Sequence, residues 1–102
     1  MILKEPTVIN KIQIMYCCQC RWLMRSSWMA QELLSTFSQE INELTLRPSS
    51  GGVFEIIAND TVVWSRKING GFPEITELKQ RVRDVIAPEK NLGCIDNKKP
   101  KI

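Results

Sequence analysis

Apolar residues alternate with polar ones early in the chain and then recur three or four apart, and that change of period marks the first two elements. Val8, Ile9, Ile12, Ile14 and Met15 form an apolar run rich in β-branched side chains. With Lys11 and Gln13 pointing outward, the run predicts a buried strand over residues 7–16, closed by Tyr16. From Arg21 to Phe37 the apolar positions are Trp22, Leu23, Ala30, Leu33, Leu34 and Phe37, with Ser26 as a small neighbour. These draw one helical face, while Arg21, Arg25, Gln31 and Glu32 fall elsewhere. Ile41, Leu44 and Leu46 predict a second strand over 41–47, and Pro48-Ser49-Ser50-Gly51-Gly52 then breaks the chain.

Two more strands follow. Val53–Ile57 and Thr61–Ser65 flank Asn59-Asp60, residue types that tolerate the positive φ of a tight hairpin. Asn69-Gly70-Gly71-Phe72-Pro73 makes another break. Glu74 to Ile86 then carries Ile75, Leu78, Val82, Val85 and Ile86 at helical spacing, and Pro88 limits the helix. The predicted order is β-α-β-β-β-α. The first strand, its crossover helix and the second strand should pair in parallel with a right-handed connection, and the hairpin should add two antiparallel strands to the same sheet. The expected class is therefore α/β (α+β), a small mixed four-stranded sheet with two main helices in the thioredoxin-like layout. No internal repeat or long linker divides it, so residues 1–96 are read as one domain and 97–102 as a basic flexible tail.

Composition adds limits. The chain has 102 residues, enough to bury one core without covalent staples, and its 43% hydrophobic and 25% charged content is that of a globular protein. The net charge of +3 resides in Lys98, Lys99 and Lys101, because the 11 remaining Lys and Arg balance 11 Asp and Glu. With no basic stripe interleaved with aromatics, nucleic acid is not an expected partner. No window approaches the ~20 apolar residues that cross a bilayer, and no secretory pattern opens the chain, so no membrane association and a cytoplasmic location are expected. In that reducing compartment a structural disulfide is disfavoured, and a Cys-x-x-Cys pair points to redox chemistry or metal.

Cys17 and Cys20 are such a pair, placed where the first strand gives way to the first helix. Two thiols at this spacing on the first turn of a helix close a small disulfide ring with little backbone movement. Thiolate is the attacking form, and an unperturbed cysteine is only about 3% ionised at pH 7. Helix-terminal amides would raise that fraction, and Arg21, four residues after Cys17, is expected to add a cation on the same face. Metal is the rival: Cys17, Cys18, Cys20 and Cys94 make four potential ligands, but histidine is absent and a second Cys-x-x-Cys is missing. The plain alternative is that the cysteines are small buried hydrophobes. Cys18 is read as packing or a bystander and Cys94 as a free thiol. Trp22 is read mainly as a core aromatic that also walls the pair. Gly51-Gly52 either lets backbone approach the thiols or serves only as a turn, and Arg47 and Arg66-Lys67 are read as solvated charges.

Tyr16-Cys17-Cys18-Gln19-Cys20 ending a strand, Gly52-Val53-Phe54-Glu55-Ile56 opening a hairpin, and Lys67 followed by Gly70-Gly71-Phe72-Pro73 together resemble the selenoprotein W-like (Rdx) family, which includes the selenoprotein T and H relatives. The match spans about residues 10–95. The resemblance implies a thioredoxin-like fold and a redox role, with Cys17 at the cysteine and Cys20 at the selenocysteine position of the family's pair. Thioredoxin logic assigns the first attack to Cys17, whereas selenium in the relatives sits at the place of Cys20, so the order of attack is open. No proline precedes Val53 to play the part of the thioredoxin cis-proline, and Gly51-Gly52 stand there instead.

The expected function is a thiol–disulfide oxidoreductase in cell redox homeostasis with catalytic Cys17 and Cys20, supported by Arg21, Trp22, Gly51 and Gly52. No bound cofactor or metal is expected, and glutathione or a specific thiol protein is the expected redox partner. The alternative is a redox-regulated binding module that does not turn over. Substrate, reduction potential and oligomeric state are not encoded legibly.

Overall fold

The computed structural model describes residues 9–93, so the predicted tail, Cys94 and the start of the predicted first strand lie outside the described residues. Seven elements follow in order: β1 (Lys11–Cys17), α1 (Leu23–Thr36), β2 (Glu43–Ser49), β3 (Phe54–Ala58), β4 (Thr61–Ser65), α2 (Arg66–Asn69) and α3 (Ile75–Ile86). They build one mixed sheet in the order β2-β1-β3-β4. β1 runs parallel to β2 and antiparallel to β3, and β3 pairs antiparallel with β4 across a bulge at Ile56/Ile57. This is the α+β, thioredoxin-like arrangement that the alternating pattern predicts.

Period-two burial explains the sheet. Ile12, Ile14 and Tyr16 on β1 and Phe54, Ile56 and Ala58 on β3 are buried, while Gln13, Met15, Glu55 and Ile57 between them remain half-buried. Ser26, Met29, Ala30 and Leu33 of α1 and Leu78 and Val82 of α3 are buried, and both helices contact the sheet and one another. Phe37, Leu33, Ile14, Ile56, Phe54 and Val82 share that core. Lys79 Nζ reaches Glu32 Oε1 at 2.9 Å and ties α3 to α1.

The differences from the sequence reading have local causes. Ile9 is exposed and β1 starts only at Lys11, where Asn10 is tied to the chain entering β2. Its amide donates to Asn42 Oδ1 (2.8 Å), and its carbonyl accepts from the amides of Asn42 (2.9 Å) and Glu43 (3.2 Å). β2 runs to Ser49 and includes Pro48, although Pro48 to Gly52 predicts a break in the chain there. β2 is an edge strand paired only with β1, so a missing N–H there costs no ladder bond. On α1 the burial stripe takes Met29 and leaves Leu23 and Leu34 exposed. The short α2 was unforeseen, although Ser65 and Gly70 bracket it: Ser65 Oγ accepts from the Ile68 amide at 3.4 Å, and Gly70 closes the turn at φ +79°.

Candidate functional site

Cys17 is the last residue of β1, and the sheet holds it there. Its amide donates to Val53 O at 2.8 Å, and the Cys18 amide donates to Ser49 O at 3.0 Å. The chain then turns, with the Arg21 amide on Cys18 O at 3.1 Å and Arg21 itself at φ +60°, a left-handed conformation that no helix continues through. α1 begins beyond it, at Leu23, behind Trp22. The expectation that the pair lies on the first helical turn is thereby corrected. Cys17 is a strand residue and Cys18 to Cys20 belong to the turn, so Arg21 has no i,i+4 helical relation to Cys17 and cannot act on it through a shared face.

The turn brings the two sulfurs together. Cys20 Sγ donates to Cys17 Sγ at 2.9 Å, and both cysteines are free. A disulfide is about 2.05 Å long, so closing one needs an approach of about 0.9 Å. Cys17 is 1% exposed while Cys20 lies on the surface. The Cys17 thiol ionises below the ordinary cysteine value, first because the Cys20 thiol donates to it, and then because the backbone amides of Gly52, Cys20 and Gln19 point at its sulfur; burial opposes the shift. Cys20 is displaced upward, first by that same bond to Cys17 and then by desolvation and by the nearby Cys17 and Cys18, with Arg66 pulling the other way. The two thiols titrate as one system, with ionisation favoured at Cys17 and disfavoured at Cys20.

The amides around Cys17 therefore come from the turn and from Gly52 rather than from the end of a helix. Gly51 and Gly52 adopt φ of +73° and +74°, and a Cβ on Gly52 would meet no atom within 4 Å. Gly52→Ala should therefore cost only backbone strain, about 1–2 kcal/mol in a chemical denaturation experiment. It should also displace an amide from Cys17 and raise the pH at which the pair first reacts with iodoacetamide.

Trp22 is half-buried behind the turn. Its ring meets Phe72 edge-on at 4.9 Å and Phe54 at 6.3 Å, and Phe54 meets Phe72 at 4.9 Å. Arg25 covers Phe72 at 4.1 Å, and Arg66 covers Trp22 at 5.0 Å. Arg66 is exposed, as a solvated charge should be, and its charge also reaches Cys20; the cation expected beside Cys17 was Arg21. The cue in sequence was slight: Arg66 sits at the end of β4, across from the start of β3. Beside the pair lies a groove of about 210 Å³ lined by Gly51 to Glu55 and Ser65 to Lys67. Among the described residues, no group of three or more Cys, Asp or Glu is arranged to hold a metal ion.

A four-stranded mixed sheet with a close dithiol at the end of its first strand is the plan of a thioredoxin-like redox domain. The Rdx family profile matches residues 11–84, and the chain belongs to that family. Among solved structures it is similar to a selenoprotein W-related protein from Vibrio cholerae, at 54% identity over 76% of this chain and 98% of that one, with a TM-score of 0.75. A Bordetella parapertussis protein matches at 55% identity over the same shares, with a TM-score of 0.74. No curated protein matches. Among the described residues no helix is long and apolar enough to cross a membrane.

Proposed function

We propose that this chain is a thiol–disulfide oxidoreductase in which Cys20 attacks and Cys17 resolves. The observation that carries this reading is the 2.9 Å sulfur contact between an exposed cysteine and a buried one whose thiolate is favoured. As Cys20 Sγ attacks a substrate disulfide, its proton passes to Cys17 Sγ, one substrate sulfur bonds to Cys20 and the other leaves as thiolate. That thiolate takes the proton from Cys17, whose sulfur then attacks Cys20 Sγ and expels the second substrate sulfur. Two electrons have moved from the pair to the substrate, and a Cys17–Cys20 disulfide remains. Glutathione or a specific thiol protein, in a reducing compartment such as the cytoplasm, would return them. No resident cofactor or metal enters these steps.

Equilibration in graded glutathione buffers, followed by alkylation and mass analysis, tests the pairing. The expected product is a disulfide joining Cys17 to Cys20, with Cys18 left free. A disulfide that uses Cys18, or persistent glutathione adducts with no internal disulfide, would overturn the reading. A redox-regulated binding module is a second reading, favoured by Trp22 lying two residues after Cys20 and against Phe54 and Phe72. Multi-turnover reduction of a disulfide separates the two, because a binding module oxidises once and stops.

The pH dependence follows from the shared proton. With Cys17 lowered and Cys20 raised, alkylation of the pair should show one inflection below the ordinary cysteine value and one above it. In Cys17→Ala the bond that raises Cys20 is gone, so the Cys20 inflection should move down in pH. An unchanged upper inflection would show that the pair is not coupled.

A further inference from the structure

We propose that the groove beside the thiols binds a carboxylate of the disulfide substrate through Arg66 and Lys67, so that the substrates of this pair are acidic disulfides. The inference rests on the oxidoreductase reading and adds its substrate class. Four observations support it. The groove adjoins the site, because Val53, which lines it, accepts the Cys17 amide at 2.8 Å, and Gly52 beside it presents its amide to the Cys17 sulfur. At about 210 Å³ it admits a short arm of a substrate rather than a whole ring system. Arg66 is held in place, with its guanidinium 5.0 Å from the Trp22 ring centre and Nη1 3.5 Å from Gly52 O. Neither Arg66 nor Lys67 has a carboxylate partner among the described residues, and Glu55 is the one acidic side chain on the lining, so the wall carries excess positive charge.

A carboxylate on Arg66 gains charge-assisted, potentially bidentate hydrogen bonds, and it brings the attached disulfide to the side of the turn where the Arg66 charge already reaches Cys20. It also offsets the unfavourable approach of an anion to a site where ionisation of Cys17 is favoured. A neutral disulfide lacks this anchor, and a cationic one meets two like charges.

The first probe is alkylation, which needs no turnover: the sulfur displaces iodide from anionic iodoacetate or neutral iodoacetamide, and fragment masses assign the adduct. The iodoacetate-to-iodoacetamide rate ratio at Cys20 should exceed that at Cys18 and fall as salt is added. It should drop about three- to tenfold in Arg66→Gln, less in Lys67→Gln, and stay constant in Lys11→Gln, at the far end of β1. The second probe compares reduction of 3,3′-dithiodipropionate with that of bis(2-hydroxyethyl) disulfide, whose ratio should fall in the same variants. Because both measurements are ratios, a change in the ionisation of Cys20 cancels. Equal ratios in wild type and Arg66→Gln, with both disulfides still reduced, overturn the groove and spare the oxidoreductase. Reduction of neither disulfide, beside an Arg66-dependent alkylation ratio, overturns the oxidoreductase and leaves an anion-binding groove.

Discussion

Cys17→Ser, exposed to a small disulfide, should accumulate a mixed disulfide on Cys20 approaching one per chain, while Cys20→Ser should accumulate far less on Cys17. The asymmetry follows from access and charge acting on different sulfurs. On the proposed mechanism Cys20, which is exposed, makes the attack, and without Cys17 nothing resolves the adduct. Cys17 holds the more stable thiolate but is 1% exposed, so a substrate sulfur cannot align with it. A lower thiol pKa also weakens the nucleophile, so ionisation alone does not choose the attacker. Turnover should fall in both variants by about three orders of magnitude or more, as expected when one member of a cooperating pair is removed. Intact-protein mass spectrometry under mild oxidant reads the adducts. Comparable adduct formation on Cys17 in Cys20→Ser would assign the first attack to Cys17.

Phe54→Ala should be the most damaging of the core changes near the site, costing about 3–5 kcal/mol in chemical denaturation. Phe54 is 1% exposed, opens β3 opposite Tyr16, and meets both Trp22 and Phe72 edge-on. Its loss removes the buried ring and two aromatic contacts and leaves a cavity under the turn that carries Cys20. For a domain whose whole stability is of the order of 5–15 kcal/mol, this approaches unfolding. Leu34→Ala on the exposed side of α1 should stay within about 0.5 kcal/mol, and an equal loss at the two positions would contradict the assigned core.

Much of this was written in local pattern. Ile12, Ile14 and Tyr16 on β1, and the hairpin turn at Asn59, follow from residue types and spacing that act over a few positions. The two long helices were legible for the same reason, apart from the start of α1, whereas the one-turn α2 was not. Met29 and Leu34 changed places because an amphipathic stripe of mixed residues permits more than one rotation, and contact with the sheet selects one. Pro48 misled because edge position is a property of the sheet, not of the strand. Arg66 was not legible because charge acts through space: it follows β4, far from Cys20 in sequence, yet its charge reaches that thiol, whereas Arg21 sits in a left-handed turn at φ +60° and shares no helical face with Cys17.

The sequence by itself determined the class of fold, the order of its elements apart from α2, and the Cys-x-x-Cys spacing of Cys17 and Cys20, since periodicity, turn residues and motif spacing are all short-range. Only the tertiary structure decided which sulfur is buried, which carries the charge, and what cation and groove stand beside them. Those properties depend on Gly52, Phe54 and Arg66, which are distant in sequence and reach the turn only when β3 pairs with β1 and β4 pairs with β3.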